Sequence, residues 1–162
     1  MGVYEDVSVI QSSIPRAKMF KAFVCEAETI LPKIVPGAVK SVEVLEGSSG
    51  PGTIKLITFA EGGPFKCLKH RVDYLDKEAF TFGYSVIGGD FLAEKMEKVS
   101  HDIKFEATPE EGSVYTNVTK YYTTDGFEMT EEYAKPAKEK GEGLFKAFEV
   151  YVLANPDEFL SV

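Results

Sequence analysis

Tryptophan is absent from this chain, cysteine and histidine occur twice each, and basic residues are outnumbered, 18 against 26 acidic ones. Each shortage excludes something. Two cysteines, Cys25 and Cys67, are too few for a disulfide scaffold and show no metal-ligand spacing; both lie among apolar neighbours and read as buried free thiols. A formal net charge of -8 argues against dedicated nucleic-acid binding, which clusters Lys and Arg against phosphate. No apolar run approaches a membrane span. The start, Met1-Gly2-Val3-Tyr4-Glu5-Asp6, has neither the basic nor the apolar stretch of a secretory leader, and Asp6 stands where myristoylation wants Ser or Thr. The expectation is a reduced, cytoplasmic protein forming one ligand-binding domain over residues 1–162, with no metal and no cofactor.

What is present is glycine at one telling place. Glu46-Gly47-Ser48-Ser49-Gly50-Pro51-Gly52-Thr53 resembles a phosphate loop, but a P-loop needs Lys-Ser/Thr after its last glycine and then a helix. Here Thr53-Ile54-Lys55-Leu56-Ile57-Thr58-Phe59 comes next, rich in β-branched and aromatic residues, so the loop joins strand to strand.

Val3–Ile10 reads as a first strand. Ser12-Ser13-Ile14-Pro15 opens a helix, with Ser as cap and Pro in its first turn, and a second short helix runs from about Ala27 to Lys33, bounded by Pro32 and Pro36. Six runs of period two come after it: Val39–Leu45, Thr53–Phe59, Phe65–Leu75, Ala79–Ile87, Lys95–Ala107 and Ser113–Tyr122. Their short separators predict antiparallel hairpins. Met129 to Ala154 has helical spacing, with Leu144, Phe145, Phe148, Tyr151 and Val152 on one stripe; Pro136 should delay or kink this helix. The fold class is α+β: seven antiparallel strands curling round one long helix.

Alternation assigns faces. Phe80, Phe82, Tyr84 and Val86 share one side of their strand; Lys55, Ile57 and Phe59 share another; His101, Ile103 and Phe105 a third. Apolar lines carrying one polar group each suit an amphipathic-ligand pocket. They equally describe a packed core from which Lys55 reaches solvent. His70 reads as a solvated strand position, and Lys120 faces away from Tyr115, Asn117 and Thr119.

Three stretches occur in order: Glu46–Thr53, Tyr84-Ser85-Val86-Ile87-Gly88-Gly89-Asp90, and Lys138-Glu139-Lys140-Gly141-Glu142-Gly143-Leu144-Phe145-Lys146-Ala147. With Met1-Gly2-Val3-Tyr4 and Ile14-Pro15-Arg16-Ala17-Lys18-Met19-Phe20-Lys21-Ala22-Phe23, they resemble the plant class ten pathogenesis-related proteins, the family of the major birch pollen allergen. The resemblance spans essentially the whole chain. It implies a helix-grip fold enclosing a hydrophobic cavity, and binding, storage or transport of flavonoids, cytokinins, brassinosteroids or fatty acids in defence and development. It also implies an allergen, with antibody recognition around Glu46, and a monomer whose partners are small amphipathic metabolites, neither membrane nor nucleic acid.

The family's ligand contacts fall on Lys55, Phe82, Tyr84 and His101. Phe82 stands where tyrosine is common, and His101 where Asn or Tyr is frequent. Further lining is expected from Phe23, Thr29, Leu31 and Val39, from Ile57, Phe59, Phe65 and Cys67, and from Ile103, Tyr115 and Asn117. On the long helix Tyr133 and Lys140 join them. No catalytic residue is assigned. The alternative is an enzyme: the family's ribonuclease proposals would map to Glu97, Glu149 and Tyr151, whereas the buried lysine of alkaloid-condensing relatives is missing. Glu61-Gly62-Gly63-Pro64-Phe65 and Ile87-Gly88-Gly89-Asp90-Phe91 depart from the gating loops of hormone-receptor relatives.

Overall fold

The computed structural model describes residues 2–48 and 50–159; Met1 and Ser49, the latter within the glycine-rich loop, lie outside the described residues. The strands are β1 (Gly2–Ser12), β2 (Val39–Glu46), β3 (Ile54–Phe59), β4 (Cys67–Asp76), β5 (Thr81–Gly88), β6 (Met96–Ala107) and β7 (Ser113–Thr123). The helices are α1 (Arg16–Phe20), α2 (Ala27–Ile34) and α3 (Glu131–Ala154). All neighbouring strands are antiparallel, in the order β1-β7-β6-β5-β4-β3-β2. Strands β2 to β7 succeed one another as hairpins because their turns are short. The exception decides the architecture. Consecutive strands β1 and β2 occupy opposite edges, and the chain between them, folded as α1 and α2, crosses from one edge to the other.

That crossing covers one end of the inner sheet face, and α3 lies along the face itself. Phe23, from the π-helical turn Lys21–Cys25 that continues α1, packs edge-on against Phe105 of β6, Tyr115 of β7 and Phe148 of α3. Phe20, Phe105, Phe145 and Phe148 are all but fully buried. A second apolar cluster, of Val86, Leu92, Met96, Val99, Tyr121, Met129 and Ala134, closes the other end. The architecture is the helix grip: a curved sheet held round α3. No helix among the described residues is long and apolar enough to cross a membrane.

Prolines depart from the sequence reading. Pro15 stands at the N-cap of α1 rather than in its first turn, and Ser12 Oγ accepts from Ile14 N–H instead of capping the helix. Pro32 lies inside α2, where a terminating role was expected. Pro136 neither delays nor divides α3, which begins at Glu131 with Thr130 Oγ1 accepting from Tyr133 N–H. A proline early in a helix frees one carbonyl, here that of exposed Glu132, which water can satisfy.

Candidate functional site

Between the two apolar clusters the inner face carries a belt of polar side chains, one strand after another. Lys55 on β3 is paired in register with His70 on β4; Tyr84 on β5 is paired with His101 on β6, and His101 with Thr119 on β7. Period two puts these side chains on the same side as Ile57, Phe82, Val72 and Ile103. Tyr84 is clasped between the imidazoles, with ring centroids 4.8 Å from His70 and 4.7 Å from His101.

The belt is enclosed but not fully satisfied. Lys55 is only 8% exposed. His101 Nδ1 lies 3.2 Å from Asn117 Nδ2 and 3.1 Å from Thr119 Oγ1. With the Asn117 amide donating, Nδ1 is an acceptor and the ring hydrogen sits on Nε2. His70 Nε2 and Asn117 Oδ1 are buried without a partner. Burial pushes both imidazoles down to about 4, and for His70 the charges of Lys55 and His101 add to it. Burial likewise raises the phenols of Tyr84 and Tyr115. Tyr84, His70 and His101 are each half-buried on this face. Two open grooves lie outside, at opposite ends of the β1–β7 pair: about 370 Å³ beside Gly2, Tyr4 and Phe127, and about 400 Å³ beside Gln11, Thr108 and Glu110. Neither gathers buried polar groups in the way the belt does.

The residues expected from sequence divide in two. Phe82, Ile103, Tyr115, Leu31 and Val39 are buried in the core around the belt, with Phe23, Ile57 and Phe59 packed half-buried against it. The others lie elsewhere. Thr29 is on the exposed side of α2. Lys140 is exposed, off the stripe of Ala134, Phe145, Phe148 and Val152 that α3 turns inward. Tyr133 is 39% exposed and packs on Phe127, with Lys95 Nζ 5.0 Å from its ring. Phe65 sits in the β3–β4 connection against Phe91, and Cys67 shares the outer face of Lys69 and Arg71. His70 is the opposite correction: expected in solvent, it faces inward. The signal was available, because His70 precedes buried Val72 by two residues on one strand.

The carboxylates of the enzyme alternative are not assembled. Glu97 is exposed on β6, Glu149 pairs with Lys146 at 3.7 Å, and Tyr151 Oη donates to Glu158 at 3.3 Å.

A family model described as "Pathogenesis-related protein Bet v 1 family" matches residues 1–155. The chain belongs to the Bet v 1 family. It is 48% identical to "Major pollen allergen Bet v 1-C" of Betula pendula over 159 residues, 98% of this chain and 99% of that protein. It is 45% identical to "Major allergen Pru ar 1" of Prunus armeniaca over the same shares. Among solved structures it resembles Ara h 8.0201, with a TM-score of 0.86 at 36% identity, covering 94% of this chain and 99% of that one. Norcoclaurine synthase from Thalictrum flavum, at 19% identity and a TM-score of 0.78 over 94% of this chain and 87% of that one, shares the Bet v 1 fold. At that identity the likeness concerns fold alone.

Proposed function

We propose that this protein binds small hydrophobic and amphipathic plant metabolites, of the flavonoid, cytokinin, brassinosteroid or fatty-acid kind, between the inner sheet face and α3. The observation that carries this reading is the belt: converging polar groups, two with buried unpartnered atoms, set in an otherwise apolar enclosure. Apolar walls give affinity, at about 25 cal/mol per Å² buried before the entropic costs of binding. The belt gives orientation, because an unmet hydrogen-bonding group rewards a ligand that meets it.

Carrying or buffering such compounds, without converting them, is the role this supports. The relatives named as allergens extend the reading to antibody recognition around exposed Glu46, at the end of β2. The test is titration with a panel of flavonoids, cytokinins and steroids, then displacement of a neutral dye such as Nile red. Saturable, displaceable binding is expected; its absence across the panel would overturn the proposal.

A further inference from the structure

Helix α3 is fastened firmly at its two ends and weakly between them. Its buried residues are Ala134, Phe145, Phe148 and Val152. The C-terminal half is anchored in the core, with the ring of Tyr115 4.6 Å from Phe145 and that of Phe23 5.0 Å from Phe148. The N-terminal turn is held by the Thr130 cap, by Ala134 in the second apolar cluster and by Tyr133 on Phe127. Residues 135–143 bridge these anchors and bury no side chain. Their ion pair with the edge strand, Lys138 Nζ to Asp6 Oδ1 at 3.4 Å, joins groups that are both partly open to water. Such a pair contributes little.

The same span carries Pro136, Gly141 and Gly143. Glycine inside a helix weakens it, because it gives up more backbone freedom on folding than any other residue. A fold requires glycine where a side chain would collide or where the backbone takes positive φ. Neither condition holds here. A β-carbon on Gly141 or Gly143 meets no atom of the described residues within 4 Å, and neither glycine has positive φ. Helical period puts Gly141 on the stripe of Ala134 and Phe145, towards the sheet, and Gly143 on the opposite side. The helix is therefore weakened where it covers the inner sheet face without packing on it.

We propose that residues 135–143 of α3 form the door of the interior. The span unwinds and swings from β1, lets a ligand in or out, and re-forms while both ends stay anchored. This rests on the proposed binding function and concerns its kinetics. The other walls are tied down: the strands by continuous ladders, one end by Phe20 and Phe23, the other by the second apolar cluster. Local opening draws on the least stable segment, and a door that closes behind the ligand sets rates of entry and exit, not affinity.

The experiment follows Nile red binding and release by stopped-flow fluorescence on the full chain, on Gly143→Ala and on Val150→Ala. The added methyl of Gly143→Ala points away from the sheet and the ligand. That variant should slow association and dissociation together, each by up to about fivefold, at unchanged affinity. Val150→Ala favours the helix in its anchored half, at a side chain 66% exposed, and should leave both rates unchanged. In the unsubstituted protein, amides of residues 137–143 should exchange faster than those of 147–152. Unchanged rates in Gly143→Ala, equal slowing in both variants, or equal protection of the two stretches overturns the door and leaves the binding function in place. Absence of saturable Nile red binding removes both.

Discussion

The imidazole of His101 lies nearly parallel to the phenol ring of Tyr84, with centroids 4.7 Å and planes 19° apart, and His70 covers the same ring from the neighbouring strand. Both imidazoles are held neutral by burial, at about 4 against an ordinary 6.5. The unfolded chain therefore binds protons that the native state refuses between those values. Stability is complete above about 6.5, falls as pH drops towards 4, and levels off once the native rings also charge. At most about 3 kcal/mol is lost for each ring. Urea denaturation at about pH 7 and about pH 5 measures it. His101→Asn should shallow the acid limb; an unchanged limb would show that this ring does not contribute.

Tyr74 covers Gly83 on the outer face, in the place a β-carbon would take, and its Oη is anchored to Asp102. Gly83→Ala must lift that ring and strain the bond, for a cost of about 1–3 kcal/mol. The double variant with Tyr74→Ala should recover most of the loss relative to Tyr74→Ala alone. Thermal unfolding of the four proteins completes the cycle, and additive losses would refute the contact as the cause.

Asp90 closes the end of the shell. Its carboxylate accepts from Lys66 N–H at 3.0 and 2.9 Å and from Cys67 N–H at 3.0 Å, and these backbone bonds hold its pKa below the ordinary 3.8. Asp90→Ala should speed amide exchange at Lys66 and Cys67 and loosen the Phe65–Phe91 contact, leaving Phe105 and Phe145 protected. The contribution is present above the unfolded pKa and lost as pH falls through the lower native one. Equal exchange in variant and parent would show that other contacts hold the connection.

Ile57 faces the interior from β3 and is half-buried against the core. Ile57→Trp should fill ligand space and lower affinity for a flavonoid at least about tenfold, with a small change in melting temperature. Undiminished affinity would place the ligand elsewhere.

Much of this architecture is written in the order of the residues. Period two located β2 to β7 to within two residues at most ends, and it set Lys55, Tyr84 and His101 on shared faces, because alternation of side chains belongs to the extended backbone itself. The glycine-rich loop read as a strand connection because the residues after Gly52 are rich in β-branched side chains.

Tertiary structure decided what depends on partners distant in sequence. The separation of β1 and β2 to opposite edges has no local signature; it arises when β1 pairs with β7 over Gly2–Ser12. The phase of α3 was set by which stripe met the sheet, so Ala134 and Phe145 turned inward while Tyr133 and Lys140 remained outside. The bulge between Val72 and Tyr74 shifts register on β4, placing Tyr74 over Gly83. The sequence alone supplied the polar groups, each strand with its own. Only the closing of the sheet round α3 placed them side by side away from water, where a buried lysine and a ring nitrogen of His70 without a hydrogen-bond partner among the described residues become chemically significant.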